Sequence, residues 1–370
     1  MALFDLVFEG GGAKGAAFSG AMDAFAAAGH KTRRIIGTSA GAITAALLGA
    51  GYSAKEILDA CNETVPGTND PMFTTFMDAP QEADFSDADR NNSQTMELLK
   101  KIPVHIPFFG DRLSVDILNA ALKVELYREV FSFNECGGFY SGNAFLHWFR
   151  AKLQAKGIDP DITWSAFALK TGSDVSVVTS DVTEQEMVVL NARTAPDCPV
   201  ALSVRMSMSI PFVWREMVWH DTWGLYRRKP KAGNIFVDGG VLSNFPLALV
   251  TGSSADTEDI MGKTNPNGAG TLGLLLDETM EVPGVPDEST RRPRLRASDR
   301  ATRLIDAMTG TSDAAVMREH ADYICRLPVK GYGTTEFRMA KEKMSALIAA
   351  GRDAMNRYLN RLAATATEKA

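Results

Sequence analysis

The chain has 370 residues, 45% of them hydrophobic, with a formal net charge of −6. That is enough apolar material for a full core and exceeds the usual length of one domain, so one large domain with insertions, or a domain with a small appendage, is expected. The negative balance argues against a general nucleic-acid binder, which needs a basic face.

The N-terminus, MALFDLVFEGGG, lacks the charged and then apolar segments of a secretion signal, and no stretch approaches the roughly 18 apolar residues of a membrane span. Cys61, Cys136, Cys198 and Cys325 form no CxxC pair, so neither a disulfide framework nor zinc-ligand spacing is indicated. The reading is a cytoplasmic protein with reduced thiols, which meets a membrane, if at all, from its surface.

LFDLVFEG is a short apolar run that predicts a buried strand. AKGAAFSGAMDAFAAA, residues 13 to 28, predicts a helix stopped by Gly29. RRIIGTSAGAITAALLGAG repeats the plan, with a strand through Ile35 and Ile36, a tight turn, and a small-residue helix ending near Gly49 and Gly51. Strands and helices alternating at this spacing predict a three-layer α/β/α fold with a mostly parallel central sheet. From Ser53 to about Asn134 the pattern loosens into AKEILDACNE, PMFTTFMDAP, an acidic stretch and HIPFFGDRL, which reads as a capping insertion. YSGNAFLHWFRAKLQAK, 140 to 156, predicts an amphipathic helix with Ser141 or Asn143 at its cap. DVSVVTSDVTEQEMVVLN predicts a strand pair, ALSVRMSMSIPFVW a helix stopped by Pro211, and NIFVDGG and TLGLLLDE two further strands. RRPRLRASDRATR is a basic loop or a helix start. The last helix places Met344, Leu347, Ile348, Met355, Leu359 and Leu362 on one face, and the tail ATATEKA reads as frayed. The domain reading is a catalytic unit over 1–335, with 53–134 as a cap or lid within it, followed by a packed C-terminal helix and tail over 336–370.

Gly37-Thr38-Ser39-Ala40-Gly41 fits GxSxG between a predicted strand and a predicted helix, the context of a nucleophile elbow. The alternative is an ordinary turn with Ser39 as an N-cap. A serine attacking a carbonyl creates an oxyanion, which needs preorganised N–H donors. Gly10, Gly11 and Gly12, before a helix N-terminus, offer them, and Lys14 adds either nearby charge or a solvated cation. GGGAKGAAF does not fit a Walker loop, because no Ser or Thr follows Lys14. Gly10, Gly12 and Gly15 match GxGxxG, but the second strand ends in Ile36-Gly37-Thr38-Ser39 rather than in the acidic residue a dinucleotide site wants.

The serine needs a base. Of His30, His105, His147, His220 and His320, only His320 lies late enough for the Ser, Asp, His order of an α/β-hydrolase, and it sits in an ordinary amphipathic stretch. Asp238 is the better candidate. It ends an apolar strand, Gly239 and Gly240 allow close backbone approach, and an aspartate there is costly to bury without a purpose.

EGGGAKG, GTSAG and DGGVLSNFP, in that order, resemble the motifs of the patatin-like phospholipase family in its bacterial form. ALSVRMSMSIPFVW, YSGNAFLHWF and the C-terminal TTEFRMAKEKMSALIAAGRDA resemble further family segments, and 53–134 and 220–232 are least covered. The resemblance implies a Ser–Asp dyad without histidine. Ser39 is then the nucleophile, Asp238 the general base, and Gly10 to Gly12 the oxyanion hole, with Lys14, Gly15, Gly37, Gly41, Gly239 and Gly240 supporting the motifs. It implies hydrolysis of a phospholipid, lysophospholipid or other lipid ester through an acyl-enzyme, with no cofactor and no metal. Glu9 departs from the aspartate of plant members. Two other readings stay open: an esterase with His320 or His220 as base, and a latent lipid-binding effector that needs an activating partner.

A lipid enzyme must dock transiently at a membrane surface. Trp223, Leu225 and Tyr226 beside Arg227, Arg228 and Lys229 suit an anionic membrane, and they equally suit a solvated hairpin. PMFTTFMDAP and HIPFFGDRL suit a lid or acyl channel, or plain core. The arginines of 291 to 303 suit phosphate headgroups or solvent.

Overall fold

The computed structural model describes residues 2–101, 118–263, 268–285 and 314–368. HIPFFGDRL and the arginines of 291 to 303 lie outside the described residues. An eight-stranded sheet forms the centre, in the order β10 (Ile324–Lys330), β9 (Gly270–Glu281), β1 (Leu3–Phe8), β2 (Lys31–Thr38), β4 (Asp174–Asp181), β8 (Ile235–Asp238) and β7 (Met217–Val218), with β5 (Glu186–Leu190) also on β4. The pairs from β10 to β4 are all parallel, whereas β5 and β8 run antiparallel to β4. A small parallel pair, β3 (Gly138–Tyr140) with β6 (Phe212–Trp214), stands apart.

Strand residues alternate between two apolar layers, as a pleated sheet covered on both faces requires. Leu6, Phe8, Ile35 and Val177 face the larger core. Val7, Ile36, Val178 and Val189 face the other, with Phe245, Leu247 and Leu249. The larger core is closed by α1 (Ala16–Ala27), α2 (Ala40–Gly49), α3 (Ala54–Cys61), α4 (Asn143–Ala155), α5 (Val200–Ser207) and α6 (Lys341–Glu368). α4 begins after Gly142 rather than at Tyr140. The Asp78 carboxylate accepts from Gly142 and Ala144 N–H at 2.9 and 3.1 Å, so an acidic group outside the predicted helix caps it.

β4 has two edges. β5 fills one along Val177–Asp181. β2 fills the other up to the pair Thr38–Val178, and β8 continues that same edge from Asp181 down to the pair Thr179–Asp238. Two strands therefore approach each other head to head and stop one rung apart. Both chains must leave the sheet there.

The C-terminal helix packs on α1 with its backbone in contact. A side chain on Gly20 would strike the Ile348 carbonyl, and one on Gly351 would strike the Ala17 carbonyl. Met344, Leu347, Ile348, Met355 and Leu359 are buried as the spacing predicts, whereas Leu362 is exposed because the helix outruns the body. The tail that reads as frayed continues α6 through Glu368. Gly351→Val is expected to lower stability by about 1–3 kcal/mol through overpacking at this crossing, measured as a lowered midpoint in urea; an unchanged midpoint would show that the helices do not need this approach.

Candidate active site

β2 ends in Thr38, and Ser39 turns the chain into α2 with φ 52° and ψ −118°. A non-glycine residue at positive φ is strained and persists where its surroundings over-determine it. Here they do. A side chain on Gly37 would strike the Gly41 carbonyl, and one on Gly41 would strike the Phe8 carbonyl at 2.5 Å. The two outer glycines of GxSxG are thus required by the closeness of the turn and of β1. Ser39 is 5% exposed at the N-terminus of α2.

Asp238 ends β8 and is 3% exposed. Its Oδ1 accepts from the Gly240 N–H at 2.7 Å, and its own N–H donates to the Ser209 carbonyl at 2.8 Å. An ideal Cβ on Gly239 would lie 3.0 Å from Thr38 Cγ2, so the residue after the aspartate touches the residue before the serine. Ser39 and Asp238 open into one polar chamber that Glu9, Gly10, Gly11, Lys14 and Asn244 also line. Ser39 faces a second, apolar chamber as well. Ala40, Ile43, Thr44 and Leu47, one face of α2, run along it towards Ile57, Cys61, Phe73 and Trp148.

The glycine loop divides its amides. Gly10 is buried and gives its N–H to the Asn244 carbonyl at 3.0 Å. Gly11 and Gly12 are partly exposed, and among the described residues no acceptor takes their N–H groups. Gly12 sits at φ 55° with the Thr334 carbonyl where a side chain would stand, which only glycine tolerates easily. The three-donor expectation is therefore narrowed: the Gly10 amide is committed, and two remain available. Lys14 is buried and pairs with Glu278, whose side chain is half-exposed, instead of standing in solvent. The Glu9 carboxylate accepts from Leu276 N–H at 2.6 Å and from Asn244 Nδ2 at 3.2 Å, so its extra methylene spans from β9 to the loop after Asp238.

The segment before β8 differs from the membrane-facing expectation. Tyr226 is buried and its hydroxyl accepts from Val189 N–H at 3.3 Å. Arg227 is held by Asp256 and Asp259. Arg227 and Arg228 both have positive φ in a two-residue turn closed by Tyr226 and Lys229. Trp223 is half-buried on Trp219, leaving Leu225, Arg228 and Lys229 exposed. Sequence reasoning did not single out Ser207, Ser209, Asn244 or Lys231; the run of serines in SVRMSMSIP was the available signal.

Among the described residues the carboxylates close enough to share a metal are Asp181, Glu184 and Glu186. The Lys231 ammonium sits between them, 2.9 Å from Asp181 and 2.8 Å from Glu184. Asn234 also binds Asp181, and Ile235 N–H donates to Thr183, so this cluster fixes where β8 begins and hence where Asp238 ends. Burial acts to raise the Asp181 pKa, but the Glu184 N–H, the Asn234 amide and the Lys231 ammonium hold it below its ordinary value. Burial acts to lower that of Lys231, but its three carboxylates hold it above.

A strained serine at a strand–helix elbow, at the carboxyl end of an interior strand of a mostly parallel sheet, defines an α/β acyl hydrolase architecture. The sequence matches the Patatin-like phospholipase family over residues 6–251. The chain belongs to that family and is a lipid acyl hydrolase. It is 28% identical over 356 residues, 94% of its own length and 95% of the relative's, to the uncharacterized protein YqhO of Bacillus subtilis. It is 28% identical over 116 residues, 31% of this chain and 36% of the other, to the probable lipid hydrolase 463L of Invertebrate iridescent virus 6. The crystal structure of VipD from Legionella pneumophila shares the fold, with a TM-score of 0.51 and 16% identity over 97% of this chain and 67% of that one. Among the described residues no helix is long and apolar enough to cross a membrane.

Lys231→Met is expected to cost about 3–5 kcal/mol at pH 7, because it leaves Asp181 buried without its cation. The Asp181 contribution is present above its unfolded pKa and is lost as pH falls through roughly 4 and below, so the difference from wild type shrinks in acid. Urea titrations at pH 7 and pH 3.5 measure both; equal differences at the two pH values would contradict the account.

Proposed function

We propose that this protein hydrolyses acyl esters of phospholipids or lysophospholipids with Ser39 as nucleophile and Asp238 as general base. The carrying observation is the head-to-head ending of β2 and β8, which opens both side chains into one chamber. Asp238 takes the Ser39 proton as Oγ attacks the carbonyl carbon. The carbonyl oxygen becomes an oxyanion held by the Gly11 and Gly12 N–H groups, near the positive ends of the helices that start there. Collapse expels the alcohol, which takes the proton from Asp238 and leaves acyl-Ser39. Asp238 then accepts a proton from water as the water attacks the acyl carbon, and collapse returns the proton to Ser39 and releases the fatty acid.

The two chambers support an ester with unlike ends. The apolar one, lined by Ile43, Leu47, Ile57, Phe76 and Trp148, suits an acyl chain. The polar one, lined by Lys14, Asn244, Asp277 and Arg326, suits the hydrophilic alcohol. Lys14 supports that wall through its pair with Glu278. Leu225, Arg228 and Lys229 serve as the residual contact with a lipid surface. A histidine base is disfavoured: His220 is exposed and bonded to Thr222, and His320 stacks on Tyr323.

Ser39→Ala and Asp238→Asn are expected to lower turnover of a lysophospholipid by at least about 1000-fold, with fluorophosphonate labelling of Ser39 abolished in the first and strongly slowed in the second. His220→Ala and His320→Ala should keep the wild-type rate. A folded Asp238→Asn protein labelled at the wild-type rate would remove the aspartate from the mechanism.

A further inference from the structure

Residues 205–210 hold both strand ends at once. The Ser39 N–H donates to Ser207 Oγ at 2.9 Å, and that hydroxyl donates to the Val178 carbonyl at 2.6 Å. Two residues on, the Ser209 carbonyl accepts the Asp238 N–H. Arg205, 2% exposed, fastens the segment by donating to Ser209 Oγ, to the Ser141 carbonyl at 2.7 Å and to the Arg215 carbonyl at 3.2 Å. Met208 and Ile210, the residues between and beyond the serines, line the apolar chamber.

The position of Ser207 answers a specific need. The β2–β4 ladder ends at Thr38–Val178, so the Ser39 N–H is the first donor beyond it, and it is buried. A hydroxyl both accepts and donates, so one side chain ties that N–H to the strand on which Asp238 is also registered. Without it, a buried donor loses its acceptor at the residue that carries the strained φ.

We propose that Ser207 is a positioning residue for the nucleophile: it fixes the Ser39 backbone against β4 and so aims Ser39 Oγ at Asp238. This rests on the dyad reading above. Its effect falls on chemistry rather than on substrate affinity, because Ser207 is fully buried and lines neither chamber.

Ser203, one turn earlier on α5, supplies a matched control. Its buried hydroxyl accepts from Trp164 Nε1 at 2.9 Å and donates to the Pro199 carbonyl at 3.0 Å, with no link to Ser39. The experiment compares Ser207→Ala, Ser207→Thr and Ser203→Ala in kcat and KM on p-nitrophenyl butyrate, in fluorophosphonate labelling rate and in melting temperature. Ser207→Ala is expected to lose about 10- to 100-fold in kcat and in labelling rate, the cost of a slightly misplaced reacting group. KM should stay within about twofold. Ser207→Thr should recover most of the loss, and Ser203→Ala should keep the wild-type kcat despite a similar fall in melting temperature. If Ser207→Ala does not fold, Ser207→Cys, whose thiol is a weaker acceptor, is read in the same way. Equal kcat losses in the two alanine variants, in step with melting temperature, would overturn the proposal, as would wild-type labelling of Ser207→Ala. Wild-type protein that is not labelled at Ser39 would instead remove the dyad reading itself.

Discussion

The structure depends on two strands meeting end to end on one edge of β4. β2 rises along that edge and β8 descends it, and they stop at Val178 and Thr179. Backbone hydrogen bonding cannot continue past such a meeting, so each chain must turn out of the sheet. β2 does so through the positive φ of Ser39 and β8 through the Gly239–Gly240 turn. A parallel β8 would carry its carboxyl end away from Ser39. The antiparallel strand brings the end that carries Asp238 to within one rung of the end that leads into Ser39.

Once that meeting is fixed, the surroundings follow by packing. α2 leaves the elbow with small and apolar residues on one side, giving an apolar chamber. The loop after Asp238 folds back onto the glycine loop through Asn244 and Glu9, giving a polar chamber on the other side. The serine stands on the boundary between them. Polarity changes within one residue's width because α2 lines one chamber with Ile43 and Leu47, whereas the carboxyl end of β9 lines the other with Asp277 and Glu278.

Much of this was legible in the chain. The three glycine motifs, the alternation of strand and helix, and the family follow from local patterns that physical chemistry restricts severely: few residues other than glycine survive where Gly37, Gly41 and Gly12 stand. The direction of β8 was not legible, because four apolar residues and an aspartate read the same way up or down a sheet. Nor was the commitment of the Gly10 amide, which depends on a carbonyl 234 positions away. The aromatic–basic stretch before β8 looked like a surface motif because composition does not reveal that Tyr226 fills the core and Arg227 finds two aspartates. Serines 207 and 209 were visible only as small residues, since a hydroxyl's partner is set by the fold and not by its neighbours in sequence.

The hold of Thr334 on the glycine loop also concerns time. Its carbonyl accepts the Ala13 N–H at 2.9 Å and lies against Gly12. β1 is likewise flanked by β9, whose residues come more than 260 positions later. On a ribosome Ser39 emerges well before Thr334 and β9, so the loop beside it waits for partners that are made much later. The nascent chain thus carries Ser39 in an unfinished setting, and the glycine loop beside it is completed only as residues near 334 fold into place.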